Sequence, residues 1–284
     1  TEGLILNIVI IGTINEIIQK ESELANLESY YKKLKYSNIS SNKVKSILDR
    51  LFTQETSEII LKDIVNIDFA RFKQHYIDDL STYDKVNLWL NKNQDSNIHV
   101  FYIESPIENG DRATQLNYAL NRMKNDIDFD IVGVYDADSR PHKNTLRYVS
   151  AQMQITNCDA CQQPLHFISS ISQFETSKNN PIISASAILQ STWSLTKELP
   201  NLINYNEVGS KENIRCLYLN GHGEFFTRNI LDEFGGFPAD VITDGVQIGY
   251  RLSMRKKMIQ SIPLFCDDQM TDSINQLITQ NSRW

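Results

Sequence analysis

The 284-residue chain has no excess of basic residues: 28 Lys and Arg stand against 35 Asp and Glu, for a net charge of −7. A nonspecific nucleic-acid surface needs positive charge over the phosphates, so that class is set aside. A few local cations would still suffice for one ligand phosphate. Long apolar runs are also lacking. Stretches such as Ile8-Val9-Ile10-Ile11 fall far short of the roughly 20 residues a membrane helix needs. Cysteine is scarce, with Cys158, Cys161, Cys216 and Cys266 making up the set. Cys158 and Cys161 have a zinc-like CxxC spacing, but no second CxxC or His pair completes a tetrahedral site. The thiols therefore read as structural, in a reducing compartment. No repeat or low-complexity linker marks a boundary, and a single domain over 1–284 is expected.

What is present is an alternation of elements. Leu4 to Ile11 is an apolar run ending at Gly12, as in a buried parallel strand, and a polar helix-compatible segment follows to about Lys35. The segment 36–97 is atypical, mostly helical, with Val44, Ile47, Leu48 and Leu51 at helical spacing. It also holds a β-like run, Ile59-Ile60-Leu61, and an aromatic-bearing helical half from Phe69 to Leu90. Ile98 to Ile103 reads as a strand and Glu104 to Asp111 as a loop. Ala113, Leu116, Leu120 and Met123 make one apolar helix face. Ile131 to Tyr135 is the next strand and Thr145 to Met153 the next helix. Strands and helices alternating at this pitch predict an α/β fold with a mostly parallel central sheet, whose ligands sit beyond the carboxyl ends of the strands.

Asp136 and Asp138 fall at such an end, in Val134-Tyr-Asp-Ala-Asp-Ser-Arg-Pro141. Residues two apart on an extended backbone point the same way, so both carboxylates can face one ligand. Hard oxygens in pairs suit Mg²⁺ or Mn²⁺ bridging to a diphosphate. A capped turn with a solvated second Asp is the competing structural reading. Arg112, behind Gly110 at the mouth of a helix, can offer its planar fork to a diphosphate. Asn220-Gly-His-Gly-Glu224 is a glycine-paired loop that admits close backbone approach to a ligand. Asp244 reads either as a helix cap or as a general base directed at a hydroxyl. The chain ends Gln280-Asn-Ser-Arg-Trp284, an amide, a guanidinium and a stacking surface in close sequence.

In this order, the pieces resemble the inverting family 2 glycosyltransferases, particularly the processive polysaccharide synthases related to cellulose, chitin and hyaluronan synthases. Gln280-x-x-Arg283-Trp284 looks like their QxxRW signature, which is far more specific than the acidic pair. The resemblance covers Ile98 to Trp284 and the opening strand with Asn15-Glu16. It implies a GT-A fold, a nucleotide-sugar donor, usually a UDP-sugar, a divalent metal (Mg²⁺ or Mn²⁺), and a glycan or polysaccharide acceptor. Carried over by position, Asp136 lies near the nucleoside and Asp138 binds the metal, with Asp136 beside it. Arg112, standing where the family usually has Lys, is also near the donor, and Gln280 and Arg283 hold the diphosphate. Gly221, His222 and Gly223 line the acceptor side, and Trp284 stacks on the acceptor sugar. Asp63 is the best match to the family's first donor-binding Asp, at the end of its second strand.

One departure concerns the base. The family's Thr-Glu-Asp triplet carries it on the third residue, and here the triplet reads Thr243-Asp244-Gly245. Asp244 takes the role, or the domain is a degenerate one that binds without turnover. A sugar nucleotidyltransferase is a further alternative, disfavoured because Gly12-Thr-Ile-Asn-Glu16 lacks a basic residue and a second Gly. Processive relatives continue past QxxRW into membrane helices. The expectation is therefore a catalytic domain at the cytoplasmic face of a membrane, its membrane segment or membrane partner lying outside this chain. Thr1 in place of Met fits a piece of a longer protein.

Overall fold

The computed structural model describes residues 5–36, 40–52, 54–78, 86, 89, 98–107, 110–167, 181–208, 217–268, 271 and 274–282. The chain divides into two compact units, Thr1–Gly110 and Asp111–Trp284.

In the first unit, strand β1 (Leu6–Thr13) pairs in parallel with β2 (Ile98–Ser105), Leu6 opposite Ile98 and Thr13 opposite Ser105. A parallel pair needs a crossover connection. Here that connection contains helices α1 (Ile14–Tyr36), α2 (Ser41–Leu51), α3 (Gln54–Asp63) and α4 (Phe69–Asp78). Their apolar faces close on Leu27, Tyr31, Leu48, Phe52, Ile60 and Phe72. The rings of Tyr31 and Phe52 tilt against Phe72 at centroid distances of 5.4 and 5.3 Å. The β-like run Ile59-Ile60-Leu61 is not a strand: it lies inside α3, with Ile60 fully buried and Ile59 half exposed. Three apolar residues in a row fit either element, and here the helical neighbours Ser57 and Ile60, three apart, turn inward together. Asp63, expected at a strand end, is the last residue of α3, where it accepts from Asn66 Nδ2 at 3.0 Å and faces Arg71 Nη1 at 3.7 Å.

The second unit begins with α5 (Arg112–Met123), β3 (Ile131–Val134), β4 (Arg140–Pro141), α6 (Thr145–Thr156), β5 (Ala160–Gln162) and β6 (Leu165–His166). Then come α7 (Pro181–Trp193), a π-helical turn at Ser194–Glu198, α8 (Leu199–Val208), β7 (Glu224–Thr227) and α9 (Arg228–Phe234). It ends with α10 (Asp244–Met254), β8 (Ile259–Ser261), β9 (Cys266–Asp267) and α11 (Ile274–Asn281). A four-stranded sheet runs β3-β7-β5-β8, and a small second sheet runs β4-β9-β6. Three strands of the larger sheet share one direction, as expected, while β7 is antiparallel to both neighbours. Its reversal positions the site: Glu224, the first residue of β7, pairs with Val134 and Gln162, the last residues of β3 and β5. The loop before β7 thus arrives at the carboxyl ends of its neighbours, beside the turn that carries Asp136.

Sequence explains most of the local structure. Asp111 caps α5 by accepting from Thr114 N at 2.7 Å. Gly235, at φ 74°, closes α9 in a left-handed conformation that a side chain would disfavour. The core joins Ala113, Leu120, Val134, Phe226, Leu231, Ile248, Leu252 and Ile259, taking apolar faces from sheet and helices together. Cys158 and Cys161 are buried thiols, 3.5 Å apart between sulfurs, in a neighbouring cluster with Val149, Met153 and Phe225.

Residues Leu217–Gly221 lie directly on α10, along Gly245, Gly249 and Ser253, which are four apart and so share a face. Ser253 Oγ accepts from Leu217 N at 2.9 Å, and the Gly245 carbonyl accepts from Leu219 N at 3.3 Å. A Cβ at Gly249 would stand 2.7 Å from Leu219 N, and one at Gly245 would stand 2.6 Å from Gly221 Cα. Glycine at 245 and 249 is thus the condition for this backbone-on-helix packing.

Candidate active site

Arg112, the first residue of α5, is the hub. Its Nε donates to Asp136 Oδ1 at 3.2 Å, its Nη1 to Asp244 Oδ2 at 2.8 Å, and its Nη2 to the Gly221 carbonyl. Three partners from three segments use three different nitrogens, which a guanidinium can do and an ammonium point charge cannot. Asp136 comes from the turn after β3, Asp244 from the first turn of α10, and Gly221 from the loop before β7. The Asp244 side chain keeps 15% of its surface exposed, and the Asp136 side chain 46%. Both carboxylates therefore remain within reach of a ligand.

His222 lies between two acids. Its Nε2 donates to Asp268 Oδ2, and its Nδ1 stands 3.8 Å from Asp136 Oδ2. Burial opposes its charge, but the hydrogen bond with Asp268 and the negative charges of Asp268, Asp136 and Glu224 outweigh it, and its pKa is raised. His222 therefore tends towards imidazolium among carboxylates. Asp138, two residues on from Asp136, has its carboxyl pKa raised by burial first, then by the charges of Asp268 and Asp136. A cation placed there would relieve that crowding. Among the described residues no three His, Cys, Asp or Glu side chains converge as a metal cage. A site made of one or two carboxylates and completed by substrate phosphates needs no such cage. The donor set fits a hard divalent ion on those terms.

The loop Asn220–Gly223 is held at every residue. Asn220 N donates to Gln162 Oε1 at 3.0 Å, and its Nδ2 to Glu198 Oε2, on the π-helical turn, at 3.1 Å. Gly221 N donates to Glu224 Oε1 at 2.5 Å. The His222 carbonyl accepts from Gln162 Nε2 at 3.1 Å, and Gly223 bonds Val134 O through its N–H and Gln163 N through its carbonyl. Gly221 and Gly223 take positive φ, 86° and 63°, so the glycine pairing read from the sequence meets a backbone requirement.

The structure thus brings together Arg112, Asp136, Asp138, Gly221, His222, Gly223 and Asp244. Gln280 lies in α11. Arg283 and Trp284 lie outside the described residues, and so do the side chains of Asn15 and Glu16. Sequence reasoning passed over Glu224 and Asp268, both buried. Glu224 carried a signal nonetheless, an acid opening the strand Glu-Phe-Phe-Thr in a core sheet.

The family model described as "Glycosyltransferase like family 2" matches residues 91–284, more than half of the chain. No curated protein sequence matches. Among solved structures, a mannosyltransferase from Pyrobaculum calidifontis, in complex with GDP-Man and Mn²⁺, superposes with a TM-score of 0.46 at 15% identity. That superposition covers 93% of this chain and 72% of the other. No helix among the described residues is long and apolar enough to cross a membrane.

Proposed function

The chain belongs to the glycosyltransferase-like family 2, a glycosyl-transfer domain of the mixed α/β architecture its sequence leads one to expect, and from that premise we propose that it moves a sugar from a nucleotide sugar to a hydroxyl of a glycan or polysaccharide, with inversion. The observation that carries this reading is the convergence of Asp136, Asp244 and Gly221 on Arg112. It joins an acidic turn suited to a diphosphate with a carboxylate suited to a proton.

In this reading the donor, a UDP-sugar by resemblance, lies at the carboxyl ends of β3 and β5, with its nucleoside towards Asp136. Asp138 and Asp136 would hold Mg²⁺ or Mn²⁺, which when bound offsets the charge growing on the departing diphosphate. Arg112, Gln280 and Arg283 bind that diphosphate by charge-assisted hydrogen bonds. Gly221, His222 and Gly223 shape the acceptor side, and Trp284 stacks on the acceptor sugar. The acceptor hydroxyl attacks the anomeric carbon from the face opposite the diphosphate while Asp244 takes its proton. Arg112, bonded to Asp244 through Nη1, orients its carboxylate for that role. The place of work is the cytoplasmic face of a membrane, with a membrane segment or partner beyond these residues.

Asp244→Asn tests the assignment. It should preserve donor binding and lower nucleoside diphosphate release by about 100-fold or more, the usual contribution of a general base. Retained turnover would move the proton to another group. A binding-only domain remains the second reading, favoured by the lack of a carboxylate at Gly245. It predicts nucleotide-sugar binding without release of nucleoside diphosphate.

A further inference from the structure

A glutamate buried to 1% exposure beside the site, on a strand with two buried phenylalanines, has a role the proposed chemistry leaves unassigned. Buried carboxylates are costly unless something requires them. Glu224 Oε1 accepts from Gly221 N at 2.5 Å, and Gly221 is the residue whose carbonyl takes Arg112 Nη2. Gly221 is therefore held through both its N–H, by an acid, and its carbonyl, by a guanidinium. The position matters equally. A Cβ built on Gly245 would stand 2.7 Å from Glu224 Oε1, so the carboxylate lies in the space a side chain at 245 would enter.

We propose that Glu224 is the positioning residue of this site: its carboxylate, delivered from β7 into the space left open at Gly245, holds Asn220–Gly223 in the shape that fixes Arg112 on Asp244. This deepens the reading above and rests on it for its kinetic arm alone. The electrostatics agree with the geometry. Burial lifts the Glu224 carboxyl to about 7, against the Gly221 hydrogen bond and Arg112, and with the Asp244 charge adding to the rise. The charged groups facing it are Arg112 from α5, Asp244 from α10 and His222 from the loop, while the residues paired with it on β3 and β5, Val134 and Gln162, are neutral. As Glu224 ionises, its charge acts on Arg112, which is bonded to Asp244, and so reaches the reaction through that guanidinium.

Three forms of the protein decide the matter: wild type, Glu224→Gln and Glu224→Ala. The amide oxygen of Glu224→Gln can still accept from Gly221 N, whereas Glu224→Ala cannot. Crystal structures should show Gly221 and Arg112 in place in Glu224→Gln. In Glu224→Ala, Gly221 should turn away and Arg112 should lose its carbonyl. With UDP-glucose, UDP-N-acetylglucosamine and GDP-mannose as probes in Mn²⁺, Glu224→Ala should lower turnover about tenfold or more. Wild-type turnover should rise about three- to tenfold between pH 6 and 8, and Glu224→Gln should lose that rise while remaining active. A merely structural residue would not move the pH profile. The proposal is overturned if Gly221 and Arg112 stay put in Glu224→Ala, or if the Glu224→Gln profile superposes on that of wild type. If wild type turns over none of the probes, the glycosyltransfer reading is what fails, and the structures still decide the role of Glu224. If Glu224→Ala does not fold, the Glu224→Gln profile decides it.

Discussion

Arg112 illustrates how much one side chain can organise. Each nitrogen of its fork has a different partner, so neither Asp136 nor Asp244 is left as an isolated negative charge. Asp138 differs, its carboxyl held above the usual range by burial and by its acidic neighbours, the environment a divalent cation would stabilise. Asp138→Ala should therefore abolish the Mn²⁺ dependence of nucleotide binding, since one hard ligand is lost from a small set. Calorimetric titration with UDP and GDP, with and without Mn²⁺, measures it; an unchanged Mn²⁺ enhancement would remove Asp138 from the site. Glu224 makes a separate prediction about stability. Its carboxyl is raised from 4.5 to about 7 in the folded state, so between those values the native protein binds a proton the unfolded chain has released. Its contribution is then most favourable at the acid end and declines as pH rises through the window, by about 3 kcal/mol in total. Denaturation midpoints of wild type relative to Glu224→Gln, taken at pH 5 and pH 8, should differ in that direction. A constant difference would show that Glu224 is not held protonated.

Helix α10 and the segment Leu217–Gly221 form a matched pair, and their fit explains Gly245. The glycine looked like a missing carboxylate when read as the third letter of a triplet. In the fold it is one of three small residues, with Gly249 and Ser253, on which another backbone rests. Gly245→Asp, which supplies the acid the resemblance leads one to expect, should lower activity and cost about 1–3 kcal/mol, because its Cβ collides with Gly221 and Glu224. Thermal denaturation beside a turnover assay checks both. A stable, faster Gly245→Asp would contradict the packing argument. The same comparison shows what the sequence made legible. Apolar periodicity located β1, β2, β3, α5 and α6 to within a few residues, because each has a clear in-and-out pattern. It misread Ile59–Leu61, where a short apolar run is compatible with two periods. Motif spacing singled out Asp136, Asp138, Arg112 and Asp244, which the fold brings near one another. Glu224 and Asp268 escaped because their importance comes from tertiary contacts with Gly221 and His222, which no local pattern encodes. The reversed direction of β7 escaped for the same reason.

Taken whole, the molecule carries a net charge of −7, and at the site Arg112 and His222 are set among the acids Asp136, Asp244 and Asp268. Family membership over residues 91–284 establishes glycosyl transfer as the chemistry of the fold. The arrangement about Arg112 brings Asp136, Asp244 and Gly221 together beside Gly245. The most direct test is release of nucleoside diphosphate by the wild-type protein, incubated with UDP- and GDP-sugars, Mn²⁺ and glycan acceptors. Release from at least one donor is expected, suppressed by chelator and lost in Asp244→Asn. Tight binding of a nucleotide sugar with no release from any donor would contradict it and leave a binding domain in its place.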